Sequence, residues 1–231
     1  MDTLERTTKT ALALSVVAVM AFSGLTMVGC LEYDREVHMT RVACVGDSIT
    51  MASTYPEKLQ VMLGAYYSVK NFGLSGSTVT RDSQLPYLEQ RQFEKAKDFQ
   101  PDIVLILLGT NDANPEVVYN KNTFEADYTE IVNGFLELES KPQVVIVNSP
   151  PIFVSAPSPY NNTYLTTEIF PHIEYVADIY HLPTVDLYAT FGNCSDYFMD
   201  GIHPTNDGAK LIASTLYQAV TDIHNYGELT V

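Results

Sequence analysis

From residue 40 onward the sequence predicts an α/β protein: a parallel sheet of about five strands with helices on both faces. Two observations carry this. Short apolar runs alternate with longer amphipathic segments, the pattern of repeated strand-helix-strand units. One run, Ile103-Val104-Leu105-Ile106-Leu107-Leu108, is apolar at every position, as a central strand buried on both faces requires.

Taken in order, the first strand is expected over residues 41–46, where the apolar run Val42 to Val45 stops at Gly46-Asp47-Ser48. An amphipathic helix over 55–65, a strand over 67–71, a helix over 86–98 and the apolar strand over 102–108 follow. The next helix is read over 123–139, with Asn122 or Thr123 as its cap, because their side-chain oxygens can accept a first-turn N–H. A strand over 143–148 leads into "NSPPIFVSAPSPYNNTY", whose Pro, Ser and Asn content marks a loop. A loop of this length either shapes a substrate pocket or is an exposed connection, and the first is favoured since long ordered loops often carry function; its Tyr and Phe side chains line a pocket or pack in the core. A helix over 164–180, a strand over 183–187 and a helix over 205–223, capped by Thr205 or Asn206, complete the pattern.

Ahead of this region, Arg6 and Lys9 precede a stretch from Ala11 to Val28 that is apolar apart from small hydroxyl residues and Gly. Residues 1–32 are therefore expected to be an export signal, with an uncleaved N-terminal anchor as the alternative. Met27-Val28-Gly29-Cys30 resembles a bacterial lipoprotein cleavage box, with Met27 in place of the usual Leu, so Cys30 is a candidate lipidation site. The working domain is read over 40–225 and is expected to face outward, extracellular, periplasmic or on the cell surface.

A net charge of −15 repels phosphate backbones and anionic headgroups, so no nucleic-acid partner is expected, and a membrane is met only through the N-terminal segment or a lipid. Cys30, Cys44 and Cys194 lack metal-site spacing, which argues against a zinc centre. Cys44 reads as a small buried apolar residue, and its pairing with Cys194 is left open.

Ligands of open parallel sheets bind beyond the carboxyl ends of the strands. Three clusters fall there: Gly46-Asp47-Ser48, Asn71-Phe72-Gly73-Leu74-Ser75-Gly76-Ser77, and Gly109-Thr110-Asn111-Asp112. A fourth, Asp200-Gly201-Ile202-His203-Pro204, precedes the last helix. A serine hydroxyl becomes a useful nucleophile only when a neighbouring base takes its proton, and a carboxylate improves that base by fixing its tautomer. Asp200 and His203 supply such a pair from one loop. Acyl transfer also needs donors aimed at the oxyanion, which a Gly turn at Gly76 and the amide of Asn111 can provide. Asp47 and Asp112 flank these clusters and are read as acceptors of backbone hydrogen bonds. His38, His172, His181 and His224 have no partner pattern and are read as structural or exposed.

The clusters "GDSIT", "NFGLSGS", "GTND" and "DGIHP", in this order and on these elements, resemble the SGNH hydrolases, the GDSL family of esterases and lipases. The resemblance spans residues 40–223. It implies a flavodoxin-like three-layer α/β/α sandwich, with Ser48 as nucleophile and first oxyanion donor. Gly76 and Asn111 are implied as the other donors, His203 as general base and Asp200 as its orienting carboxylate. No metal or organic cofactor is implied. The turn at Ser48 is not the G-x-S-x-G elbow of the larger α/β-hydrolases, since Thr50 stands where Gly would be needed.

The expectation is an exported serine esterase acting through an acyl-enzyme. The outward location and the absence of a long apolar lid segment favour short acyl groups, such as acetyl, on a small-molecule or carbohydrate ester. A lysophospholipase or thioesterase for longer chains is the enzymatic alternative, and a non-catalytic surface binding protein is the alternative from another class.

Overall fold

An all-apolar strand has no face to offer water, and β3 (Ile103–Leu107) accordingly lies at the centre of the sheet with all five residues buried. The structure, a computed structural model, describes residues 39–114, 117, 121–154 and 158–227. The chain divides into two units, 1–38 and 39–231. The signal or anchor read over 1–32, with Cys30 and His38, lies outside the described residues.

β3 is flanked by β1 (Thr40–Gly46) and β4 (Gln143–Asn148), and the edges are β2 (Tyr67–Gly73) and β5 (Thr184–Asp186). The order β2-β1-β3-β4-β5, parallel throughout, is that of a flavodoxin-like sheet. The alternation of strand side chains divides the core in two. On one face Val104 and Ile106 pack with Phe124, Tyr128 and Ile131 of α4 (Lys121–Leu136), Phe93 of α3 (Arg91–Asp98) and Ile173 of α6 (Phe170–Ile179). On the other, Ile103, Leu105 and Leu107 pack with Tyr55 and Leu59 of α2 (Tyr55–Leu63), Phe191 of α7 (Leu187–Phe191) and Ile212 and Leu216 of α8 (Asn206–Gly227). The result is the three-layer α/β/α arrangement the sequence predicts.

Register sets where the chemistry falls. Gly46 of β1 is level with both Gly73 of β2 and Leu107 of β3, so three strands end along one rim. Between β1 and β3 the chain order reverses direction across the sheet, which is where ligands bind in such folds.

The elements differ from expectation in places. A five-residue helix, α1 (Ser48–Ala52), directly follows β1, and α7 follows β5. The helix read over 86–98 is a short turn, Tyr87–Glu89, followed by α3, because Gln90 is extended (ψ 151°) and interrupts the helical path. α4 already begins at Lys121, so Asn122 and Thr123 fall inside its first turn and neither is its cap. The helix read over 164–180 starts earlier, as α5 (Asn162–Tyr164), with Asn161 Oδ1 accepting from Tyr164 N at 3.1 Å. It continues through a wide π turn, Leu165–Ile169, into α6. Pro171 has no N–H for the preceding turn, and the widened turn accommodates that loss. Thr205 does cap α8, its Oγ1 accepting from Gly208 N at 3.2 Å. Cys44 is buried, Cys194 is exposed, and both are free thiols.

Candidate active site

The turn after β1 is held by close packing. A Cβ on Gly46 would stand 2.0 Å from Thr50 Oγ1 and 2.7 Å from the Leu107 carbonyl, so only glycine lets α1 fold back onto the strand end. Asp47 caps α1, its Oδ1 accepting from Ile49 N at 2.8 Å. Burial pushes the Asp47 carboxyl up to about 6, with the Ile49 N–H opposing that rise. Ser48 is thereby the first residue of α1, where a backbone N–H has no intrahelical acceptor. Its side chain looks out over the rim, and the residue is 8% exposed.

Across the rim, His203 Nε2 lies 2.9 Å from Ser48 Oγ, although 155 positions separate the two in sequence. His203 Nδ1 lies 2.6 Å from Asp200 Oδ2. A carboxylate oxygen can only accept, so Nδ1 carries the proton and Nε2 is left as an acceptor toward the serine hydroxyl. Asp200 Oδ1 meanwhile accepts from His203 N at 2.8 Å and Ile202 N at 3.0 Å. Partial burial raises the Asp200 carboxyl, but the three donors from Ile202 and His203 together outweigh it and hold the group down at about 2. Met199 N donates to the His203 carbonyl at 2.8 Å and closes the loop on itself.

Gly76 and Asn111, which follow β2 and β3, line one cleft. Gly76 has φ 79°, and a Cβ there would meet nothing closer than Leu85 Cδ2 at 3.8 Å, so backbone conformation and not space selects glycine. Asn111 Nδ2 donates to the Ser77 carbonyl at 2.8 Å, tying the turn after β3 to the turn after β2. Asp112 reinforces the tie by accepting from Val79 N at 2.9 Å and Thr80 N at 3.0 Å. Asp127 of α4 takes the next donor, Arg81 N, at 2.7 Å. Asp47 and Asp112 are thus backbone acceptors, as read from the sequence.

Burial raises the Asp112 carboxyl to about 7, against the pull of the Thr80 and Val79 N–H groups. A raised carboxyl adds stability that is complete below its ordinary value of 3.8 and is lost as pH rises through about 7. The fold is therefore expected to lose of order 1 to 3 kcal/mol from this group between roughly pH 4 and pH 7. Asp112→Asn should flatten that part of the dependence of melting temperature on pH; an unchanged slope in the variant would assign the effect to other groups.

Tyr160, one of the loop aromatics read as lining a pocket or packing in the core, does line the cleft, whereas several contacts around the site gave no signal in the sequence. Tyr160, from the loop after β4, donates to Asn111 Oδ1 at 3.0 Å. Arg81 adds a two-pronged pair with Glu130, both contacts at 2.7 Å, beside the Asp127 clamp. His172 has a partner after all: its Nδ1 lies 2.6 Å from Glu125 Oε1, linking α6 to α4 as a structural contact. His181 ends its helix at φ 52°, and the side chain of His224 is outside the described residues.

The cleft beside Gly76 and Asn111 has a volume of about 750 Å³ and is lined by Asp82, Ser83, Gln84 and Tyr160 with Leu85. Another cavity of about 700 Å³ runs along Gln143, Pro183 and α8. Gln143 opens β4, so that cavity touches the amino end of a strand, away from the rim that carries Ser48. Among the described residues, no group of three or more His, Cys, Asp or Glu side chains is placed to hold a metal ion. No described helix is long and apolar enough to cross a membrane.

Residues 44–211 match the model of the GDSL-like lipase/acylhydrolase family. The chain belongs to that family. It is 33% identical over 205 residues to an acetylxylan esterase of Xylanibacter ruminicola, a match covering 78% of this chain and 43% of the relative. The chain therefore spans less than half of that relative's length. Solved structures share the fold. The aryl esterase of M. smegmatis superimposes with a TM-score of 0.64 at 21% identity, covering 79% of this chain and 99% of that one. A carbohydrate acetylesterase from Sinorhizobium meliloti does so with a TM-score of 0.65 at 20% identity, covering 80% of this chain and 99% of that one. The matched span takes in Ser48, Gly76, Asn111, Asp200 and His203.

Proposed function

We propose that this family member is an exported serine esterase that removes short acyl groups, acetyl foremost, from carbohydrates. One observation carries the reading: an unbroken hydrogen-bonded series from Asp200 through His203 to Ser48 Oγ, with contacts of 2.6 and 2.9 Å. These are the distances at which a base can take the hydroxyl proton.

In this mechanism Ser48 Oγ attacks the ester carbonyl carbon while His203 Nε2 takes the hydroxyl proton. The carbonyl oxygen becomes an oxyanion, held by Ser48 N–H, Gly76 N–H and an Asn111 Nδ2–H. When the oxyanion re-forms the carbonyl and the bond to the alcohol oxygen breaks, His203 gives the proton to that departing alcohol oxygen and the acyl group stays on Ser48. Water then attacks the acyl-enzyme and gives its proton to His203. The bond to Oγ breaks, the acid leaves, and Ser48 regains its proton. Asp200 stays ionised throughout, steadying the imidazolium formed in each half.

The polar side chains in the mixed lining of the cleft support a polyol leaving group, because Asp82, Ser83 and Gln84 offer hydrogen bonds beside Leu85 and Tyr160. The likeness to an acetylxylan esterase of Xylanibacter ruminicola supports the same substrate class. Export is supported by the charged start and apolar stretch within 1–32.

A fluorophosphonate probe should label the purified protein at Ser48, and acetylated xylan should release acetate. Across nitrophenyl esters, rates should be highest for acetate and fall with chain length. An apolar acyl channel would instead reward each added methylene by about 0.8 kcal/mol, roughly fourfold in rate. A rising series would replace the proposal by a long-chain acylhydrolase, and failure to capture the probe would replace it by a binding protein.

A further inference from the structure

We propose that Tyr160 is a positioning residue of the oxyanion site, its hydroxyl holding and polarising the Asn111 amide. The inference rests on the reading of Asn111 as an oxyanion donor given above.

The Asn111 side chain is fixed at both ends. Nδ2 donates one hydrogen to the Ser77 carbonyl at 2.8 Å, and Oδ1 accepts from the Tyr160 hydroxyl at 3.0 Å. A carbonyl cannot donate, so the nitrogen must face Ser77, and the amide plane is set by the pair of contacts. Of the two Nδ2 hydrogens, the second is the one left for a ligand.

Tyr160 does more than hold the plane. A hydrogen bond onto an amide oxygen draws electron density from the nitrogen, and the remaining N–H becomes a stronger donor. Negative charge forming on a bound carbonyl oxygen is then relayed from the Asn111 N–H through the amide to the phenol. The gain grows as that charge grows, so it belongs to the transition state more than to bound substrate. Burial, and after it the nearby Asp47 charge, raise the phenol above its ordinary value, so Tyr160 keeps its proton.

The chain around Tyr160 is anchored to suit. Tyr160 N donates to Ser158 Oγ at 3.2 Å, and Asn161 N donates to the carbonyl of Ala113, two residues beyond Asn111, at 3.3 Å. The loop after β4 is thus tied directly to the turn it serves. Tyr160 also lines the cleft, which puts its ring at the site and not behind it.

A double-mutant cycle with nitrophenyl acetate tests this, since a small acetyl ester makes little demand on the ring itself. Tyr160→Phe should lower kcat and kcat/KM together by about 3- to 10-fold with KM unchanged, the effect of one hydrogen bond felt in the transition state. Asn111→Ala should lower kcat by about 100-fold or more. In the Asn111→Ala background, Tyr160→Phe should cost nothing further, because its effect passes through the missing amide. Three results overturn the proposal alone: wild-type kcat in Tyr160→Phe, a change confined to KM, or an equal loss in both backgrounds. An Asn111→Ala enzyme as fast as wild type removes the oxyanion reading itself and this inference with it.

Discussion

Ser48→Ala is expected to reduce kcat for nitrophenyl acetate by about 10⁴- to 10⁶-fold while the protein stays folded. The variant keeps His203, Asp200 and the oxyanion donors but has no atom to form the acyl bond, so water must attack directly. Residual rate then comes from electrostatic stabilisation and binding alone, about 10³-fold or more above the uncatalysed reaction. Ser48 is nearly buried, and among the described residues its hydroxyl makes one hydrogen bond, the 2.9 Å bond to His203 Nε2. Its loss should shift stability by no more than about 1 kcal/mol. Three groups acting as one unit also predict non-additivity: adding His203→Ala to Ser48→Ala should cost almost nothing more. Steady-state rates on enzyme freed of wild-type contamination, with a thermal melt of each variant, check both halves. A Ser48→Ala protein within about 10-fold of wild type would mean that some other group attacks the ester.

Much of this site could be read in the chain because its parts are local patterns. β3 betrays itself by having no polar position, and Gly46-Asp47-Ser48 and Asn111 each follow an apolar run that must end somewhere, whereas Gly76 follows the mixed strand Tyr67–Gly73. In a parallel sheet all such ends share one rim, so strand order alone draws the clusters together. Asp200 and His203 are legible for another reason: three residues apart, they make a contact that needs no tertiary information. What the chain hides are contacts between distant segments whose residue types have commoner uses. Tyr160 sits in a loop of many aromatics and prolines, and nothing near it signals an amide 49 positions away. Asp127 looks like any acidic residue of an amphipathic helix, yet it closes on Arg81 N across 46 positions. His172 and Glu125 are likewise separated by 47. α1 escapes for want of length, since five residues are too few to show a helical period. It is instead a product of the site, formed where the Asp47 cap and the Gly46 contact fold the chain back over the sheet.

Asp200→Asn is expected to lower kcat by about 10⁴-fold, and its contacts say why the swap should be so costly. Both backbone donors, His203 N and Ile202 N, converge on Oδ1, so an asparagine must keep its oxygen there. Its amide nitrogen then occupies the place of Oδ2, 2.6 Å from His203 Nδ1. An N–H now points at the ring nitrogen that formerly carried the proton, and the neutral imidazole responds by moving its proton to Nε2. That nitrogen faces Ser48 Oγ and can no longer accept from it. Loop geometry is preserved and the base is lost, which nitrogen-15 spectra of the ring should register as a change of tautomer. Acid should not mimic the substitution. The Asp200 carboxyl is held down at about 2, so its stabilising effect is present above its ordinary 3.8 and disappears only as pH falls through the lower value. A loss of rate on acidifying to about pH 5 must therefore come from a group other than Asp200. An Asp200→Asn enzyme that kept the wild-type tautomer and most of its rate would show that this carboxylate braces the loop without governing the base.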